Sequence, residues 1–438
     1  MLFGLHPLTV EPVAWVWERK TLLAAFFGLG ALILYTAYAR GRRRIFYAAS
    51  LIAYVLAVMA KPTATPLAAA MLLLDYWPLA RLNRRAFREK APFFAIAAIS
   101  AVITVLSTQR TASVVMPGAY SFRQLPLRVG YLLMFYLYKV LWPVHLSSVY
   151  VMPESWSLRE PLVCGGFLGA CVLAALAVFA LRRTRAFLTG GLFFLVVISP
   201  TLGVVGYSWV VASDKYVYLP ATGLVLILAW LLGVLRETAS RRSSGVLLTA
   251  GGVAIVLAAA GAEAFLTRAY LAHWRDTESL YRHMLTLAPG AASVHANLGI
   301  ALARTGRTGE ADGHLREALR LRPEYPEALT ALGNILAARD DLDAAIARHT
   351  EALRLAPSLA EARINLGITL ARKGHLSGAA AHLGEAVRRR PHSALAHANL
   401  ALVLMKLGRA EEAVAHWERA VSLDSTHPDW QAHLADAL

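Results

Sequence analysis

The chain has 438 residues, 57% of them apolar, and a formal net charge of +16. Residues 286–438 carry 17 Lys/Arg and 17 Asp/Glu, so the remaining 27 basic and 11 acidic side chains, and the whole net charge, fall in residues 1–285. There the basic residues cluster between long apolar runs, a pattern of membrane topology rather than of a phosphate-binding stripe, which argues against nucleic acid as a partner.

Apolar segments recur at about 21–39, 45–60, 62–78, 92–108, 130–149, 161–181, 187–206, 216–235 and 245–265. A hydrocarbon core of roughly 30 Å needs about 20 helical residues, and most of these segments reach that length. The second and third are short, and Lys61-Pro62 between them predicts a tight helical hairpin or a re-entrant pair. Cys164 and Cys171, two turns apart in one apolar run, read as small lipid- or helix-facing residues and not as a disulfide or metal pair.

Basic clusters set the orientation. Arg40, Arg42, Arg43 and Arg44 follow the first segment, and Arg81, Arg84, Arg85, Arg88 and Lys90 the third. Arg182, Arg183 and Arg185 follow the sixth, and Arg236, Arg241 and Arg242 the eighth. All four clusters share the inner side if segment 130–149 does not cross. It holds Lys139, Trp142, Pro143 and His145 among tyrosines, a composition suited to an interface. The expected topology is eight crossings and one interfacial or re-entrant helix, with the C-terminal region on the extracytoplasmic side.

That topology places residues 1–20, the Lys61-Pro62 corner and the loops 110–160 and 207–216 outside. These carry His6, Glu11, Glu18, Arg19, Lys61, Asp214 and Lys215. Charges gathered at one membrane face suggest a site for an anionic or polyhydroxylated ligand. Asp75, beside Tyr76-Trp77-Pro78 at the inner interface, reads as structural; Glu263 is an outlier within an apolar run.

The C-terminal third repeats every 34 residues. Pro289, Pro323, Pro357 and Pro391 mark the period. Small residues follow in phase at Gly299, Gly333, Gly367 and Ala401, at Ala311, Ala345, Ala379 and Ala413, and at Ala318, Ala352, Ala386 and Ala420. This is the tetratricopeptide pattern, in which two helices cross where only Gly or Ala lets the backbones approach. Gly306, Gly374 and Gly408 fall where a left-handed residue ends the first helix of a unit, with Asp340 in that place in the second repeat. Asn297, Asn365 and Asn399 recur at one offset on helices expected to line the concave face, an Asn ladder able to hold an extended polypeptide by its backbone amides. It resembles the inner face of the nucleocytoplasmic O-GlcNAc transferase repeats; local capping or packing is the alternative. His295, His349, His397 and His416 show no metal-like convergence and read as solvated, so no metal site is expected.

The run HPLTVEPVAWVWERK at 6–20, AKP at 60–62, LLLDYWPL at 72–79, SDKYVYLP at 213–220 and the junction His273-Trp274-Arg275-Asp276 together resemble bacterial relatives of the transmembrane and tetratricopeptide repeat-containing proteins. The resemblance covers essentially the whole chain. It implies a C-type glycosyltransferase, similar to protein O-mannosyltransferases, using a polyprenyl-phosphate sugar as donor at an extracytoplasmic site of the bacterial inner membrane. Family members carry further helices and an acidic external loop before the His6 motif; the chain opens at MLFGLHP, so that part is expected upstream of Met1 or is missing from this relative. An enzyme reading depends on that loop. Transfer from such a donor needs a base for the acceptor hydroxyl, positive charge for the departing phosphate and a groove for the lipid. Arg19, Lys61 and Lys215 are the candidates for phosphate contact. Glu11 and Asp214, with His6 sharing the work, are the candidates for orienting the acceptor or a divalent cation.

The expected fold is all-α: a polytopic helical membrane domain (1–268), a junction and half-repeat (269–291), four tetratricopeptide repeats (292–427) forming a superhelix, and a capping helix (428–438). The expected function is sugar transfer to protein hydroxyls, with the repeats binding the polypeptide acceptor; the alternative is a non-catalytic, membrane-anchored scaffold.

Overall fold

The computed structural model describes residues 2–110, 124–150, 152–153, 155–202, 212–241 and 245–437. Residues 111–123 and 207–211 of the two expected external loops, and 203–206 at the end of the expected segment 187–206, lie outside the described residues. Among the described residues every regular element is helical. The chain divides into two compact units, Met1–Asp276 and Thr277–Leu438.

In the first unit, short helical turns over residues 2–18 lead into α1 (Arg19–Gly41). There follow α2 (Arg44–Ala60), α3 (Leu67–Tyr76), α4 (Arg84–Arg110), α5 (Leu125–Leu141), α6 (Pro161–Ala180), α7 (Ala186–Ile198), α8 (Thr222–Ser240) and α9 (Gly245–Leu271). Five spans, Arg19–Gly41, Arg84–Ser107, Pro161–Ala180, Thr222–Ser240 and Thr249–Trp274, are long and apolar enough to cross a membrane; Arg44–Ala60 and Ala186–Thr201 are apolar but shorter. The segment expected at 62–78 is broken, because Pro62 and Pro66 hold a 3-10 turn at Pro62–Ala64 before the ten-residue α3. At 1.5 Å per residue α3 is only about 15 Å long, half a hydrocarbon core.

These helices are apolar nearly all round, so small residues decide which faces meet. Where α7 crosses α8, a Cβ on Gly223 would lie 2.4 Å from the Gly190 carbonyl oxygen, which only two glycines permit. One core, with Ala31, Tyr35, Tyr54, Ala57, Leu67, Met71 and Phe93, joins α1 to α4; a second, with Leu8, Val10, Tyr136, Ile198, Val217 and Tyr270, gathers the N-terminal turns onto α5, α7 and α9.

The C-terminal end of α1 meets a buried charge cluster. Asp75 accepts from the Tyr35 hydroxyl at 2.7 and 2.9 Å, from Arg81 Nε at 2.7 Å and from Lys90, while Glu89 accepts from Arg81 at 2.7 Å and Arg42 at 3.1 Å. Asp75 and Lys90 are fully buried and form an ion pair. The structural role read for Asp75 agrees with this.

In the second unit α10 (Thr277–Leu287) precedes four helix pairs. They are α11 (Ala292–Arg304) with α12 (Thr308–Leu321), α13 (Pro326–Ala338) with α14 (Leu342–Leu355), α15 (Ala360–Arg372) with α16 (Leu376–Arg389), and α17 (Ala394–Lys406) with α18 (Ala410–Leu423). The last helix, α19 (Pro428–Ala437), lays Trp430 and Leu434 on the core around Trp417. Gly306, Gly374 and Gly408 have φ of +80°, +88° and +74°, and Asp340 +65°, so the turn between the helices of each repeat is left-handed as its spacing requires. At the crossings, a Cβ on Gly299 or Gly367 would come within 2.7 or 2.6 Å of Leu315 or Leu383. His349 takes the equivalent place opposite Gly333.

Four histidine assignments are corrected. His349 is fully buried, and neither ring nitrogen has a hydrogen-bond partner among the described residues. The period itself carried the sign: positions 315, 349, 383 and 417 are Leu, His, Leu and Trp, all packing positions. His295, His397 and His416 are also not simply solvated: His295 faces His314, and His397 and His416 face each other.

Candidate functional site

The N-terminal end of α1 carries the second polar network of the first unit. Glu18 ends a 3-10 turn at Val16–Glu18, and α1 places Thr21 one turn later, so the Thr21 hydroxyl donates to the Glu18 carboxylate. Lys61, leaving α2 in extended backbone, reaches Glu18 at 3.0 Å and the Thr21 oxygen at 2.6 Å. Lys215 sits 3.3 Å from the other Glu18 oxygen and 3.4 Å from Glu11, with its ammonium 4.7 Å over the Trp15 ring.

Glu11 is fully buried. Both its oxygens accept from the Ser213 hydroxyl at 2.9 Å, and one also accepts from the Lys215 backbone N–H at 2.9 Å. These contacts span about two hundred positions of sequence and pin the N-terminal turns to the SDKYVYLP motif. Asp214, 1% exposed, turns the opposite way from Lys215. It accepts from the Tyr150 hydroxyl at 2.6 Å and the Tyr270 hydroxyl at 3.4 Å.

The environments separate the three carboxylates by acidity. Burial pushes Glu18 up, but the Thr21 hydroxyl, Lys61 and Lys215 outweigh it and hold Glu18 at about 2. Burial raises Glu11 despite Lys215, and raises Asp214 well above the usual range, with the neighbouring Glu11 charge adding to it. Carboxylates driven apart in this way can divide the labour, one staying ionised as a counter-charge and another holding a proton more tightly. Lys215 is held up by Glu11 and Glu18 against its burial, whereas burial lowers Lys61 in spite of Glu18.

Two cavities flank this network. A recess of about 30 Å³ is lined by Thr21, Lys61, Thr63, Thr201, Lys215 and Tyr216 among apolar groups. A cavity of about 370 Å³, almost wholly apolar, is lined by Leu8, Leu137, Val140, Val217, Tyr218, Leu224 and Ile227, with His6 and Glu263 at its wall. Residues 215–221 separate them: Lys215, Tyr216, Leu219 and Pro220 face the recess, and Val217, Tyr218 and Ala221 the apolar cavity.

The structure thus brings together Glu11, Lys61, Asp214 and Lys215 of the sequence candidates. It does not bring in Arg19, which is exposed while Glu18 beside it turns inward. His6 lies on the apolar cavity, one ring nitrogen on the Val140 carbonyl at 2.9 Å and the other accepting from the Leu8 N–H at 3.2 Å, an anchoring role rather than membership of the carboxylate network. Sequence reading missed Glu18 as the shared counter-ion, and missed Thr21, Ser213, Tyr150 and Tyr270 as donors; no spacing rule links them. Of the Asn ladder, Asn399 donates its amide to the Leu395 carbonyl at 2.8 Å, the local alternative, and Asn297 and Asn365 are half-buried. Among the described residues no group of three or more His, Cys, Asp or Glu is placed to hold a metal ion.

The tetratricopeptide repeat family matches residues 296–360 and 364–428. The C-terminal helix pairs are tetratricopeptide repeats. The chain is similar to the protein O-mannosyl-transferase F38B6.6 of Caenorhabditis elegans, 24% identical over 344 residues, covering 75% of this chain and 46% of that protein. It is 32% identical over 124 residues to the protein O-mannosyl-transferase Tmtc2 of Drosophila melanogaster (28% of this chain, 12% of that one) and 26% identical over 211 residues to human TMTC1 (46% and 23%). The chain spans less than half the length of these curated relatives. Among solved structures, YrrB, a TPR protein with an unusual peptide-binding site, is 24% identical with a TM-score of 0.31, covering 37% of this chain and 82% of that one. A thermophilic TPR protein of Thermus thermophilus is 20% identical with a TM-score of 0.33 (36% and 88%).

Proposed function

We propose that this protein is a membrane glycosyltransferase that moves a sugar from a polyprenyl-phosphate donor to a protein hydroxyl on the extracytoplasmic side, with its repeats holding the acceptor polypeptide. The observation that carries the reading is the pair of lysines, Lys61 and Lys215, lining a hydroxyl-rich recess next to an apolar cavity across one shared wall. An amphiphilic phosphate ester needs that combination: cations and threonine hydroxyls for phosphate oxygens, and a dry groove for the prenyl chain. The recess has room for about two water-sized groups, enough for phosphate oxygens but not for a sugar ring.

In the reaction the acceptor oxygen forms a bond to the anomeric carbon as the carbon–oxygen bond to phosphate breaks, and the phosphate leaves with the bonding pair. Lys61 and Lys215 oppose the charge that develops on it. The acceptor proton goes to a carboxylate, for which Asp214 and Glu11, both made more basic by burial, are the candidates. Glu18, ionised, keeps the two ammonium groups in place. The similarity to proteins named as O-mannosyl-transferases supports mannose as the sugar and protein as the acceptor.

One observation favours the scaffold alternative: every oxygen of Glu11 and Asp214 already accepts an internal hydrogen bond. The two readings separate in one assay. Membranes carrying the chain are given a polyprenyl-phosphate mannose and a Ser/Thr-containing acceptor polypeptide. Transfer that falls at least tenfold in Lys61→Gln and in Lys215→Gln supports the enzyme; no transfer, or transfer indifferent to both, supports the scaffold.

A further inference from the structure

The first and last repeats share a feature that the middle two lack. On α11 and α12, His295 Nδ1 lies 3.0 Å from His314 Nδ1, and on α17 and α18, His397 Nδ1 lies 2.9 Å from His416 Nδ1. The two pairs are three repeats apart in the same register. In each pair the other ring nitrogen of the first histidine meets a backbone carbonyl six residues earlier, Pro289 at 3.0 Å and Pro391 at 3.2 Å. A carbonyl only accepts, so that Nε2 carries the hydrogen and leaves the Nδ1 lone pair bare and aimed at the partner ring. Metal-binding imidazoles are oriented by the same device, the distal N–H anchored to a carbonyl.

We propose that His295 with His314, and His397 with His416, form two equivalent sites for a divalent transition-metal ion of the Zn²⁺, Cu²⁺ or Ni²⁺ class. Imidazole nitrogens bound at about 2.0–2.1 Å in a tetrahedral sphere stand about 3.3 Å apart, within about 0.3–0.4 Å of the separation in each pair, and the rings turn to aim both lone pairs at the ion. Without metal, the second histidine donates its Nδ1–H to the first; on binding, that hydrogen moves to its Nε2, and no net proton is released. Burial and the facing ring keep His314 and His416 below the ordinary imidazole range, which favours the neutral ligand form at pH 7. Arg282 and Glu310 face the first pair, and Arg419 and Glu412 face the second. Glu310 and Glu412 stand four residues before the second histidine and are held by Arg307 and Arg409 at 2.6 and 2.7 Å, so they contribute negative charge one helical turn away. With two protein nitrogens per site, water completes the coordination.

The middle repeats provide internal controls, carrying Leu329 with Arg348 and Arg363 with His382 at these positions. Arg363 donates to the Pro357 carbonyl at 2.7 Å, the acceptor its histidine counterparts use. Arginine at the second-histidine position is compatible with this repeat fold, as Arg348 shows. The test uses the full chain in detergent, stripped by chelator and titrated with Zn²⁺ at pH 7.5. The wild type is expected to bind two more ions per chain than the His314→Arg/His416→Arg double variant, each single variant one fewer than wild type, and Zn²⁺ to raise the unfolding temperature of the wild type more than that of the double variant. Equal stoichiometry in wild type and double variant, or no Zn²⁺ bound by wild type, overturns the proposal, and the pairs are then hydrogen bonds alone. His314→Gln/His416→Gln repeats the comparison without added charge.

Discussion

Lys61 and Lys215 share one carboxylate: Glu18 receives the first at 3.0 Å and the second at 3.3 Å, one on each oxygen. Two ammonium groups that would otherwise repel are thereby fixed in the lining of one recess. All three side chains are 13% exposed or less, so water screens the arrangement little.

Glu18→Gln removes that counter-charge while keeping the shape. Breaking a buried ion pair by removing one partner costs about 3 kcal/mol, and the variant is expected to unfold at a lower temperature in detergent. The pH dependence has a definite sign. The folded pKa of about 2 lies below the 4.5 of an ordinary glutamate, so the fold binds the ionised form. This stabilisation is complete above about pH 4.5 and is lost as pH falls towards 2, and Glu18→Gln should flatten that part of the stability curve measured by thermal unfolding.

Tyr150→Phe tests Asp214 as the proton acceptor. The Tyr150 hydroxyl, 2.6 Å from Asp214, favours its ionised form. Without it the carboxyl becomes harder to ionise, and the acid limb of the proposed transfer should move to higher pH. A lower rate with an unmoved limb would assign Tyr150 to packing.

His349→Leu should stabilise the repeats by about 1–3 kcal/mol, the cost of a buried polar group without partners. Leu315 and Leu383 already show that leucine fits this crossing. The ring is held near 4 by burial, below the ordinary 6.5, so the fold binds the neutral form. Wild-type stability therefore declines as pH falls from about 6.5 to 4, and the leucine variant should lack this decline in circular-dichroism melts of the chain.

Asp340→Gly replaces the non-glycine residue at φ +65° in the turn of the second repeat. Relief of left-handed strain should add about 0.5–1 kcal/mol. The lost ion pair with Arg372 offsets little, because both side chains are substantially exposed. Chemical unfolding of the two proteins side by side measures the difference.

The amino-acid sequence by itself determined the repeats: their period, the left-handed turn at Gly306, Asp340, Gly374 and Gly408, and the tight crossings at Gly299, Gly333 and Gly367. Those features are local, because each repeat packs within itself and against its neighbour, so a 34-residue period records the geometry directly. His349 was legible in the same register and needed only comparison with Leu315 and Leu383. Only the tertiary structure decided the polar network around Glu18. Glu11 finds Ser213 and Lys215, and Glu18 finds Lys61 and Lys215, through helices that are apolar on nearly every face and so leave no periodicity showing which sides meet. Close approaches such as Gly190 on Gly223 choose the partners, and the same packing exposes Arg19, buries Glu18 beside it and gives one carboxylate to two lysines.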